Sequence, residues 1–181
     1  MDVICWSAML LSFGYILFIR YDLFNMIMEL FDINTMGRDQ IYDFIHPYYD
    51  ISVTFFGYGF EYTSVLLRNI VNNFPELKIG VLALHNNILT EYIELGFLGF
   101  WAWIFYTWIF QYRWLINRQG EMVSMLFIMC ETYIFMTYLT DNTLYYYWTS
   151  MVLRLMPMAY SLHTPEHKDQ FNWPWIRVKK I

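Results

Sequence analysis

Charge is scarce in this chain. Of 181 residues only 15% are charged, while 58% are hydrophobic and 22% aromatic. A soluble domain of this size carries about 25% charged residues, so the composition points to an integral membrane protein, as does a mean hydropathy of +0.32. Basic excess is also missing. The net charge of -5 argues against nucleic acid as a partner. There are only two cysteines, Cys5 and Cys130, both inside apolar segments. They read as packed thiols and exclude a disulfide framework. No zinc spacing, phosphate-binding glycine loop, nucleophile elbow or dinucleotide fingerprint occurs, so no metal and no cofactor is expected. The N-terminus lacks a basic region and a small-residue cleavage site, so it is expected to be a retained membrane helix rather than a signal peptide.

What the chain has is long apolar runs. A bilayer-spanning helix needs about 20 mostly apolar residues. Segments 3–19, 88–112, 122–140 and 142–162 come close. The expectation is a single all-α membrane domain over 1–181 with about four transmembrane helices, at 1–19, 85–112, 121–140 and 142–162. Between the first two lies a mixed segment, 20–84, too polar to span and too aromatic to be disordered. Arg113 and Arg118 follow the second run, and Lys168, Arg177, Lys179 and Lys180 lie in the tail, 163–181. The positive-inside rule puts these on the cytoplasmic side and the 20–84 loop domain outside. Tyr145 to Trp148 then fall at the outer interface, and Trp173 and Trp175 at the inner one. Within the loop domain, Leu23, Phe24, Ile27, Leu30 and Phe31 predict an amphipathic helix. Further helices are expected over 39–45 and 63–74, the latter ended by Pro75, with a turn at Gly57-Tyr58-Gly59.

The run Leu84-His85-Asn86-Asn87-Ile88-Leu89 joins polar groups to the start of an apolar helix. His85 stands where water meets lipid, and imidazole exchanges a proton near neutral pH. It is a candidate proton-transfer residue; an interfacial histidine bonded to a nearby loop fits the same spacing. Asn86 is placed to cap the helix or orient the ring. Arg38, after Gly37, can present a two-pronged guanidinium to phosphate; pairing with Asp39 or Asp43 is the alternative. Arg68 is a second candidate cation. Arg20, at the end of the first run, fits a side chain snorkelling to the interface. Glu61, Glu91 and Glu94 flank His85 in sequence and suit a sugar hydroxyl or a polar loop partner. Gly96 and Gly99 suit close helix packing. Glu131 and Arg154 fall inside apolar runs at similar depth, and a lone charge there is costly, so the two are expected to pair in a structural role.

Taken in order, Gly37-Arg38-Asp39, Gly57-Tyr58-Gly59-Phe60-Glu61, His85-Asn86-Asn87-Ile88-Leu89 and Glu94-Leu95-Gly96-Phe97-Leu98-Gly99 resemble the C-terminal core of the O-antigen ligase and O-antigen polymerase superfamily. These are bacterial inner-membrane glycosyltransferases. The resemblance implies an enzyme that polymerises polysaccharide repeat units from an undecaprenyl-pyrophosphate-linked oligosaccharide, as in O-antigen, capsule or exopolysaccharide. A ligase that transfers the glycan to lipid A-core differs in its acceptor. A non-catalytic membrane subunit, or a transporter fragment that binds lipid-linked sugar, is the alternative of another class. The family implies that Arg38 binds pyrophosphate and stabilises the leaving group. It gives His85 the acceptor hydroxyl and Arg68 a second phosphate contact; Glu61, Asn86 and Glu91 are further expected substrate contacts. Gly57, Gly59, Gly96, Gly99, Glu131 and Arg154 are expected to be structural. Family members have ten or more membrane helices, so this chain is expected to match the C-terminal part and to work beside an N-terminal half or partner subunit.

Overall fold

The computed structural model describes residues 2–35, 37–73, 84–139 and 147–163, and all regular structure among them is helical. Helix α1 (Asp2–Arg20) is followed by three loop helices, α2 (Leu23–Leu30), α3 (Arg38–Ile45) and α4 (Tyr62–Asn73). Then come α5 (Asn87–Phe105), a five-residue π-helical turn (Tyr106–Phe110) and α6 (Gln111–Gln119), which run on as one 33-residue rod. Helices α7 (Glu121–Tyr138) and α8 (Tyr147–His163) complete the described chain.

Three of these helical stretches are long and apolar enough to cross a membrane: Asp2–Arg20, Asn87–Gln119 and Glu121–Leu139. The described part of α8 has 17 residues and falls short of that length. The first part of the 142–162 run, with Tyr145 and Tyr146, lies outside the described residues, as do Pro75, Trp173, Trp175 and the tail from 164 onward.

The rod corrects one boundary. The chain was expected to turn after residue 112, where Arg113 and Arg118 begin the polar stretch. Instead it stays helical to Gln119 and reverses at Gly120, which has a φ of 85°. Tyr112 and Leu115 are buried, so packing continues past the first charge. Arg113 lies 3.8 Å from Asp2 at the start of α1.

Helix α1 runs antiparallel to the rod. Its end meets the start of α5, while Trp6 near its beginning meets Phe105. Phe13 packs on Tyr92, Phe97 and Trp101. Ile16, Ile88, Leu89, Tyr92, Ile93 and Phe100 are almost fully buried and form the centre of the core.

The end of α1 is tied to the loop domain by Arg20. Its guanidinium donates to His46 O at 2.6 Å and His46 Nδ1 at 3.1 Å, and lies 5.2 Å from the centre of the Tyr49 ring. His46 Nε2 lies 3.1 Å from Arg20 O. Arginine only donates and a carbonyl only accepts, so this geometry requires the Nε2–H tautomer of His46. Arg20 thus clasps the end of α1 to the loop domain.

Helix α2 is amphipathic as expected, but only Phe24 is buried. Leu23, Met26, Leu30 and Phe31 are exposed, which suits a helix lying at an apolar surface. The helix at 39–45 continues past its expected end into a tight turn over His46–Tyr48, with Pro47 in its first positions, where no backbone N–H is needed.

Candidate functional site

Two of the joints between the loop domain and α5 lie side by side on that helix. The first is a backbone contact at Gly96. This residue has φ 71° and ψ -178°, so it breaks the helix locally. The break frees carbonyls and an N–H that would otherwise be unpaired. Loop 55–59 takes them up. Tyr58 N–H donates to Ile93 O at 3.1 Å, Gly59 N–H to Glu94 O at 3.0 Å, and Phe97 N–H to Phe55 O at 2.8 Å. A Cβ on Gly57 would overlap Glu94 O and Gly96 N. The structural roles expected of Gly57, Gly59 and Gly96 therefore have a specific basis. Gly99 contacts only Leu95 of its own helix in this sense.

The second joint is Glu94. Its buried carboxylate accepts from Glu61 N–H at 2.9 Å, Thr63 N–H at 3.2 Å and Thr63 Oγ1 at 2.6 Å. Those donors open α4, where unpaired N–H groups favour an anion. Glu94 thus caps another helix. Glu61 contributes its backbone to this cap, while the residue itself is exposed with φ 64°.

The candidate transfer residues gather at the start of α5. His85 is half-buried and has φ 50°, a strained backbone for a residue with a side chain. Asn86 caps the helix: its Oδ1 accepts from Leu89 N–H at 3.0 Å. Its Nδ2 donates to Tyr42 Oη at 3.1 Å and Tyr15 Oη at 3.4 Å. Asn86 is fully buried. The two tyrosine hydroxyls also bond each other, and Arg38 lies close enough for its charge to act on both. Burial pushes the Tyr42 hydroxyl above its ordinary pKa despite Arg38 and Asn86, so it stays protonated. Asn86 therefore bonds both tyrosines, which also feel the charge of Arg38, and His85 is next to Asn86 in the chain. Tyr42 follows Arg38 by one helical turn, the spacing that shares a face.

Arg68 and Glu91 are placed elsewhere. Arg68 is on the exposed side of α4 with Val65 and Asn69, away from buried Leu66, Leu67 and Ile70. Glu91 is partly buried on α5. Glu131 and Arg154 form the expected ion pair. Arg154 Nε donates to Glu131 Oε1 at 2.6 Å and Nη2 to Oε2 at 3.2 Å, with Glu131 fully buried.

Below the polar cluster, an apolar groove of about 910 Å³ runs between α1 and α7. Leu10, Leu11 and Phe18 of α1 face Phe135 and Met136 of α7, with Ile88 and Trp108 between. Tyr15 lines the same groove and belongs to the polar cluster. The sequence pointed to Arg38, His85 and Asn86 but not to Tyr15 or Tyr42. For Tyr42 the one-turn offset from Arg38 was a usable signal. Tyr15 gave only a hydroxyl in an apolar run.

Comparison with protein-family models, characterised proteins and solved structures finds no match to this chain.

Proposed function

We propose that the chain is the catalytic part of a polysaccharide polymerase that uses undecaprenyl-pyrophosphate-linked oligosaccharide, a membrane glycosyltransferase with its loop domain outside the bacterial inner membrane. One observation carries this reading: an apolar groove of about 910 Å³ is lined by Tyr15, whose hydroxyl bonds Asn86 at the start of α5 and feels the charge of Arg38. An amphiphile with a long apolar tail and an anionic head has this shape. The polyprenyl chain lies along α1 and α7, and the pyrophosphate meets Arg38, whose charge stabilises the leaving group. His85 takes the proton of the attacking sugar hydroxyl as the new glycosidic bond forms and the lipid pyrophosphate departs. Asn86 and Tyr42 fix the start of α5, whose N-terminal dipole favours the same anion. Arg68 and Glu91 have no part in this assignment.

The test is complementation of a polymerase-deficient strain. His85→Ala and Arg38→Ala are expected to abolish long glycan chains while lipid-linked single repeat units persist. Unchanged chain length in both variants would refute transfer chemistry and favour a non-catalytic subunit. Accumulation of free polymer without attachment to lipid A-core would assign the chain to ligation instead.

A further inference from the structure

The register between α1 and the rod fixes the level of the loop that precedes α4. Ring contacts join Trp6 to Phe105 at 6.5 Å and Phe13 to Phe97 at 5.8 Å. Phe97 therefore stands at the level of Phe13, and its N–H donates to Phe55 O at 2.8 Å. Phe13 comes seven residues before the end of α1 at Arg20, about 10 Å along a helix that rises roughly 1.5 Å per residue. The loop starts near that end, since Asp50 lies 3.9 Å from Arg20. By Phe55 it has reached well inside a helix long and apolar enough to cross a membrane. Leu98, next to Phe97 on the rod, is exposed at the same level.

The composition of the loop agrees with that depth. From Ile51 to Phe60 no residue is charged, and Asp50 and Glu61 close the run on either side. Phe56 is 75% exposed and Phe60 80%, with Val53 and Tyr58 exposed as well. The polar groups turn the other way. Ile51 N–H donates to Asp50 Oδ1 at 2.8 Å and Phe55 N–H to Ser52 O at 3.1 Å. Tyr58 and Gly59 N–H groups reach carbonyls of α5 that the Gly96 break sets free. The Ser52 and Thr54 hydroxyls bond each other at 2.7 Å. Non-helical backbone persists at membrane depth only where protein groups take up its hydrogen bonds. Here they do so, while the large apolar side chains point outward.

We propose that loop 51–60 inserts into the bilayer leaflet on the Arg20 side, with Phe56 and Phe60 among lipid acyl chains. The partner is the lipid itself. With no Lys or Arg in the loop, insertion is driven by burial of apolar surface and not by attraction to anionic headgroups. In water the same loop would expose large aromatic rings with nothing to cover them. The inference stands apart from the glycan-transfer reading, since it uses neither Arg38, His85 nor Asn86.

The experiment uses the full chain, one copy per phosphatidylcholine nanodisc, with Cys5→Ala and Cys130→Ala to leave no other thiol. A nitroxide is attached at Phe56→Cys or at Phe60→Cys. Both rings are exposed, so labelling leaves the packed core intact. Met129→Cys, exposed on the apolar helix α7, is the lipid reference, and Asp43→Cys, exposed on α3, is the water reference. Power-saturation EPR compares collisions with oxygen, which concentrates in acyl chains, and with a neutral nickel chelate, which stays in water. At both loop positions the oxygen-to-nickel ratio is expected to exceed that of Asp43→Cys several-fold and to approach that of Met129→Cys. It is expected to stay the same when phosphatidylglycerol is mixed in. Nickel collisions as frequent as at Asp43→Cys would put the loop in water and overturn the proposal. Low collision with both reagents would overturn it too, because protein would then cover the rings. An oxygen preference that arises only with phosphatidylglycerol would refute insertion by apolar burial.

Discussion

Gly57 and Gly96 touch through their backbones, 39 residues apart in the chain. Each has a positive φ, 76° and 71°, and a Cβ on either would overlap the other's backbone nitrogen. The contact joins the Gly57-Tyr58-Gly59 turn to the break in α5. Three backbone hydrogen bonds surround it. The loop thus occupies the place of the helical bonds that Gly96 interrupts.

Gly57→Ala and Gly96→Ala are each expected to destabilise the protein by more than about 2 kcal/mol, combining left-handed strain with displaced backbone. Gly14→Ala is the control, since a Cβ there meets nothing within 4 Å. Melting in nanodiscs checks the difference. A melt for Gly96→Ala equal to that of Gly14→Ala would contradict the joint.

Glu94 carries a second prediction. Its carboxylate receives three hydrogen bonds at the start of α4. Glu94→Ala leaves buried Thr63 without its acceptor and is expected to cost about 2–3 kcal/mol, a fall in Tm of roughly 4–12 °C for a chain of this length. Glu94→Gln keeps an oxygen acceptor and is expected to lose less. Equal melts for the two variants would mean that the cap is not held by the acceptor oxygen.

His85 separates backbone from side chain. Its φ of 50° is unfavourable for a side-chain-bearing residue and free for glycine. His85→Gly is therefore expected to be at least as stable as wild type, by up to about 1 kcal/mol, while long glycan chains disappear. His85→Ala keeps the strain and is expected to lose the chains without the gain. A His85→Gly variant that melts higher and still polymerises would leave His85 no chemical role.

These cases show what the sequence could carry. Long apolar runs made the helices of α1, α5 and α7 legible, because hydropathy is a local property. Similar depth in two apolar runs was enough to expect Glu131 beside Arg154, since each charge needs a partner at its own level. Glycine spacing marked Gly57 and Gly96 as structural but not as partners of each other. Glu94 looked like a substrate or loop contact, because nothing local says that α4 begins above it. The end of the rod was misplaced at 112, since two arginines resembled a turn while Leu115 was still packing. The level of loop 51–60 against α1 was not legible at all. It exists only through the break at Gly96, where Phe55 meets Phe97.

Tyr42 yields a pH dependence. Burial raises the pKa of its hydroxyl above the ordinary tyrosine value, although Asn86 and Arg38 pull it down. A raised value means that the folded state holds the proton more tightly than the unfolded chain. The stability this gives is fully present below the unfolded value near ~10 and is lost as pH rises beyond it. Wild type is therefore expected to melt at falling temperature above about pH 10, and Tyr42→Phe with a shallower slope. Identical slopes would mean that Tyr42 is not the buried group that fails to ionise.

The Glu131–Arg154 pair tests whether a buried charge serves structure or chemistry. Glu131 is fully buried and holds Arg154 with two hydrogen bonds. Removing one partner strands the other, so Glu131→Ala and Arg154→Ala are each expected to cost about 3–5 kcal/mol. The double replacement Glu131→Leu with Arg154→Leu removes both charges and fills their space. It is expected to recover most of that loss, because an apolar pair needs no desolvation of charge. A double variant that melts no higher than the single variants would contradict the stranded-charge account. Chain-length analysis of the double variant then decides the role. Long glycans in a stable double variant confirm a purely structural pair, whereas a stable protein that makes none would move Glu131 and Arg154 into the transfer machinery.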